Sequence, residues 1–179
     1  ITERMKGSKA AFQNPVFISI FVFGPIRPGP YGLPRTAKRG AGTIRTSDKC
    51  VHMDILDVRE LCLSLPQSEE TTPFDETTLV YKIGGKMYAC ADMNDFGQVA
   101  VKCDPDEAVR LRERYEEIGP AYHFNKTHWN GIRTAGDLPD AFIREQIRNS
   151  YLLVVRRSVT PRSLREEILR HVEEHGLPE

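Results

Sequence analysis

Cysteine is scarce in this chain and never clustered. The four, Cys50, Cys62, Cys90 and Cys103, form no Cys-x-x-Cys pair, which excludes a zinc knuckle and a dithiol redox motif. Four in 179 residues is too few for a disulfide framework, so reduced thiols in a cytoplasmic protein are expected. Long apolar runs are missing as well. No stretch approaches the ~18–20 residues that cross a bilayer, so no membrane partner is expected. There is no Gly-rich phosphate loop and no Ser/His/Asp pattern in a diagnostic context. Without a base, a nucleophile and an orienting group, no catalysis is expected.

Net charge is also lacking, at zero, but the balance hides a split. Residues 1–52 hold nine Lys/Arg against two Asp/Glu, and residues 53–179 hold sixteen against twenty-three. The two parts therefore obey different rules. In the first, Pro and Gly recur from Gly24 to Gly42, and the single apolar run is Val16 to Phe23. Arg4, Lys6 and Lys9 precede that run as in a secretory signal, but Gly24-Pro25-Ile26-Arg27 is a poor cleavage site. A basic arm gripping nucleic acid is one alternative. The other is a disordered extension, or upstream sequence read through ahead of a start at Met53, because such a composition buries too little apolar area to order itself.

From Met53 the pattern is regular. Ile55, Val58, Leu61, Cys62 and Leu65 have helical spacing and Pro66 ends the run. Thr71–Phe74 reads as a bend or a short edge strand. Leu79–Ile83 and Met87–Ala91 alternate about Gly84-Gly85, a hairpin signal, and Val99–Cys103 is a third strand. Asp104-Pro105-Asp106-Glu107 opens a second helix, with a capping Asp, Pro at the first position and acids at the positive helix end. Tyr122–Asn125 reads as a fourth strand and Ile132–Thr134 as a short fifth. A long helix follows Asp137-Leu138-Pro139-Asp140 through about Val155, and a last one spans Arg162–His175, closed by Gly176.

The order predicts an α+β domain: a helix, a five-stranded antiparallel sheet with helices over one face, a further helix and a C-terminal helix. The open face would present Lys82, Tyr88 and Lys102. Domain limits are expected at 53–157, with 158–179 as a helical appendix.

The densest chemistry lies in Ala121–Ile132, which holds the single tryptophan, two histidines and no acidic residue. Trp129, Tyr122 and Phe124 offer stacking faces to nucleic acid, with Lys126, His123 and His128 for phosphates and Asn125 and Asn130 for a base edge. Lys82, Lys86, Lys102 and Arg133 would extend a positive patch. The structural alternative places Trp129 in the core and uses Asn125 and Asn130 to tie turns. His123 and His128 are five apart, which aligns them on neither a strand nor a helix, and no metal is expected there. His171-Val-Glu-Glu-His175 matches an inverted zinc-protease string, but it reads as a charged helix end. No cofactor is called for.

Leu79-Val-Tyr-Lys-Ile-Gly-Gly-Lys-Met-Tyr-Ala, Val101-Lys-Cys-Asp-Pro, Tyr122-His-Phe-Asn-Lys-Thr-His-Trp-Asn, Asp137-Leu-Pro-Asp and Ser150-Tyr together resemble the MmcQ/YjbR family of small bacterial proteins, over about Met53 to Arg157. The resemblance implies a double-wing fold, similar to secretion chaperones, and a DNA-binding or regulatory role. Acidic net charge and the chaperone-like fold suggest a rival role, as a module that binds another protein and not DNA.

Overall fold

The computed structural model describes residues 52–178. The expectations for residues 1–51 lie outside the described residues. The fold class is α+β, with an antiparallel sheet flanked by helices.

Helix α1 (Ile55–Ser64) begins at a reciprocal capping box. Asp54 accepts from Leu56 N and Asp57 N, and Asp57 accepts from Asp54 N, so orphan amides at the start are satisfied from both sides. Strand β1 (Ser68–Thr71) follows, then β2 (Thr78–Ile83), β3 (Lys86–Asp92) and β4 (Gln98–Lys102). The β2–β3 turn uses Gly84 and Gly85 at φ +55° and +71°, the left-handed pair that a tight hairpin needs. Helix α2 (Pro105–Arg114) is capped by Asp104, which accepts from Asp106 N. Strands β5 (Ile118–Pro120) and β6 (Trp129–Arg133) precede α3 (Asp140–Ser158) and α4 (Arg162–His175).

The sheet order is β1-β2-β3-β4-β6-β5, and every pair is antiparallel. It has six strands because the polar Ser68–Thr71 pairs along β2 as an edge. The expected fourth strand at Tyr122–Asn125 is instead a turn. Phe124 N donates to Ala121 O and His128 N to Asn125 O, and the strand in that place is Ile118–Pro120.

One face of the sheet is covered by helices. Leu79, Tyr81, Ile83, Val99 and Val101 join Val58, Leu61, Ile143, Ile147 and Val154 in the main core. Ile168 of α4 is also buried there, at about 2 kcal/mol of apolar burial, so the last helix contributes to the core.

Tyr88 corrects the expected open face. Between Tyr81–Ala89 and Lys82–Met87 the register slips by one, leaving Tyr88 as the extra residue of a β-bulge. The slip turns Tyr88 to the helix side, where it is fully buried. Its hydroxyl donates to Cys62 O (3.1 Å) and meets Ser68 Oγ (2.7 Å). The regular β3–β4 pairing stops at Ala89–Val101. Ser150 on α3 takes the next rung: its Oγ donates to Tyr88 O (2.6 Å) and accepts from Lys102 N (2.7 Å). The Ser150-Tyr151 pair is thus structural, and Tyr151 Oη donates to Pro66 O (2.6 Å).

Candidate functional site

The face away from the helices carries a row set by register. Val80 pairs with Cys90, Cys90 with Ala100, Ala100 with Gly131 and Gly131 with Gly119. Cross-strand partners share a face, so the centre of this surface is built from very small side chains. A Cβ on Gly131 would sit 2.5 Å from Gln98 Oε1, so glycine here lets Gln98 lie flat across the strand.

The low floor opens into a cup of about 650 Å³. Buried Cys90, Ala100 and Ala121 line it, together with the polar residues Thr78, Gln98 and His123. Asp75, Asp92 and Asp95 form an acidic wall. Asp75 accepts from Thr77 N (2.9 Å), Thr78 N (2.6 Å) and Thr78 Oγ1 (2.9 Å), and these bonds hold its carboxyl below the usual range. Asp92 Oδ1 accepts from Asn94 N (2.7 Å) and Asp95 N (3.0 Å). Both aspartates therefore shape their turns while lining the cup. Phe74 and Tyr122 line it as well and remain 65% and 78% exposed.

The loop between β5 and β6 crosses this face. Phe124 stacks on Trp129 with centroids 4.6 Å apart and planes at 26°. Trp129 is buried with Val80, Cys90, Ala100 and Ala121 in a second apolar cluster, so its ring is covered on this side. Asn125 Oδ1 accepts from Thr127 N (2.9 Å), which closes the turn. Asn130 is fully buried; it donates to Ala108 O (3.2 Å) and accepts from Arg112 Nε (2.8 Å). Arg112 also donates to Lys126 O. Helix α2 thereby pins the loop through one guanidinium.

The expected patch is only partly assembled. Lys82 and Lys102 share the open face, at the end opposite the acidic wall, and Lys102 pairs with Trp129. Lys86 pairs with Ile83, whose side chain is in the helix-side core, so it falls on the other face. Arg133 pairs with Gln98 at the acidic end and donates to Glu116 O (2.7 Å). His123, Asn125, Lys126 and His128 are exposed on the loop, with His123 edge-on to Tyr122. All five ion pairs among the described residues use arginine, leaving the lysines outside them.

Sequence reading passed over the cup itself. The signal that pointed to it was parity: Cys90 and Ala100 stand at alternating positions where a solvated strand face ordinarily carries polar residues. The three described thiols are free and buried. Burial pushes Cys90 and Cys103 up to about 11 and Cys62 to about 12, which keeps them protonated at neutral pH. No helix among the described residues is long and apolar enough to cross a membrane.

A family model described as YjbR matches residues 63–153, half of the chain, and the protein belongs to the YjbR family. The uncharacterised protein YbdF of Escherichia coli O157:H7 is 33% identical over 98 residues, covering 54% of this chain and 80% of that one. The uncharacterised protein YjbR of Escherichia coli K12 is 27% identical over 100 residues, covering 55% and 85%. A crystal structure of the Deinococcus radiodurans protein DR2400, a DUF419 domain, superposes with a TM-score of 0.59 at 37% identity, covering 69% of this chain and 88% of that one.

Proposed function

We propose that this YjbR-family protein is a non-catalytic binding module whose open sheet face receives a segment of another protein. The observation that carries the reading is the cup: an apolar floor, an acidic wall and two exposed aromatics. Buried floors ringed by polar groups suit a ligand that is itself part apolar and part charged. The absence of catalysis is supported by thiols held protonated through burial and by exposed loop histidines that no described carboxylate orients. A cytoplasmic location fits the reduced thiols.

A second reading is favoured by Lys82 and Lys102, which share the face with Lys126 on the loop above and enter no described ion pair. There the partner is DNA, held by its phosphates at the lysine end. Against it, a duplex lying across the face meets three aspartates at the other end.

A photo-crosslinking residue at position 122, compared with one at exposed Val109 on α2, tests the first reading in living cells. A discrete protein adduct specific to position 122 is expected. Duplex binding titrated against salt tests the second. A log–log slope near −3, as three neutralised phosphates give, that is lost with Lys82→Ala, Lys102→Ala and Lys126→Ala together would overturn the protein reading in favour of DNA.

A further inference from the structure

We infer that the cup receives one basic side chain, an arginine or lysine, carried on an extended segment of the partner protein. This rests on the protein-partner reading above and specifies what enters the site. Asp75, Asp92 and Asp95 line one side of the cup, and none belongs to a described ion pair. Arg133, at the same end of β6, has turned its guanidinium to Glu116 O, away from the role of internal counter-ion.

Charge complementarity selects the occupant. A phosphate or an acidic segment would face three carboxylates, and a wholly apolar group would strip them of water with nothing in return. A long basic side chain meets both demands, because its methylene stem covers apolar surface while its head stays polar. The floor of Cys90, Ala100 and Ala121 suits the stem. The exposed rings of Phe74 and Tyr122 suit the cation, which is attracted to aromatic faces.

Selection of a random heptapeptide phage library on the full chain, followed by synthesis of the enriched peptides, tests the assignment. The enriched peptides should share an arginine or lysine and shift the backbone amide resonances of Cys90, Ala100 and Ala121. Exchange of that residue for citrulline or norleucine should weaken binding about tenfold or more, the scale of a hydrogen bond to a charged group. The double variant Asp92→Asn/Asp95→Asn should lose as much, and asparagine keeps the Oδ1 acceptor that shapes the 92–95 turn. Peptides that shift the same amides yet tolerate the neutral exchange overturn the basic-side-chain assignment and leave the protein-partner reading standing. Agmatine binding as tightly as the peptides overturns the peptide source in favour of a small-amine site. Failure to enrich any peptide that shifts those amides overturns both readings.

Discussion

Ser150→Ala is expected to be among the more destabilising single-atom deletions in this domain. Ser150 is fully buried, and its hydroxyl serves two main-chain groups at once, donating to Tyr88 O and accepting from Lys102 N. Alanine removes both bonds, and the β3–β4 ladder has no regular pair beyond Ala89–Val101 to replace them. A buried main-chain group left unpaired costs about 1–3 kcal/mol; Tyr88 O is buried while Lys102 N is only part-buried and stands near the low end, so the two together place the loss at about 2–4 kcal/mol. Against the typical 5–15 kcal/mol of a domain, that is a large fraction. With a urea m-value of about 2 kcal/mol/M, the midpoint should fall by about 1–2 M. Trp129, the single tryptophan of the chain, pairs with Lys102 and supplies a fluorescence probe at the affected rung. Ser64→Ala is the control, because Ser64 Oγ merely adds a bond to Leu61 O and should cost under about 1 kcal/mol. A Ser150→Ala midpoint within about 0.25 M of wild type, or about 0.5 kcal/mol, would refute the view that this hydroxyl closes the bulge.

Tyr81→Phe should act in the opposite direction. Tyr81 Oη is the one buried side-chain polar atom without a partner among the described residues, so its removal should leave stability unchanged or raise it by about 1 kcal/mol in urea denaturation; a loss above about 1 kcal/mol would show an unrecognised partner. Asp75 gives a pH test. Its folded pKa lies below the ordinary aspartate value of about 3.9, so its contribution is present above that value and lost as pH falls through the folded pKa. The stability gap between wild type and Asp75→Asn should therefore be constant near neutrality and narrow below about pH 4; a gap that widens on acidification would reverse the sign of the argument.

The elements most legible in the sequence were those with local causes. Asp104 and Pro105 mark the start of α2, Gly84-Gly85 marks the hairpin, and Arg162 to Gly176 marks the last helix and its end. What escaped depends on distant contacts. The bulge at Tyr88 has no period of its own, and it is held by Ser150, sixty-two residues away. Ser68–Thr71 is too polar to read as a strand and pairs because β2 lies beside it. Tyr122–Asn125 alternates like a strand, yet Asn125 closes a turn on Thr127 and Phe124 is drawn onto Trp129. The loop-rich segment around Trp129 was visible as a concentration of chemistry. That its tryptophan would be covered, and that the open chemistry would lie beside it over Cys90 and Ala100, required the strand order.

That order also explains why overall charge was a poor guide to partners. The acidic wall sits by the Thr78–Asp92 and Gln98 ends of the strands, while Lys82 and Lys102 sit at the other ends. From Gln98 to Lys102 is four residues, or about 13 Å along the strand. This exceeds the ~8 Å screening length at physiological salt, so each end acts on its neighbours largely alone. A partner segment lying along the strands should therefore be charged in sequence, with the basic residue over the cup and an acidic residue four or five positions away, toward the lysines. Heptapeptides are long enough to reveal that spacing. Among the enriched sequences, exchange of the acidic residue for its amide should weaken binding less than exchange of the basic one, since Lys82 and Lys102 are only half-buried and well hydrated. The loss should disappear in Lys82→Ala/Lys102→Ala. A loss of the same size in that double variant would place the acidic residue elsewhere and refute alignment along the strands.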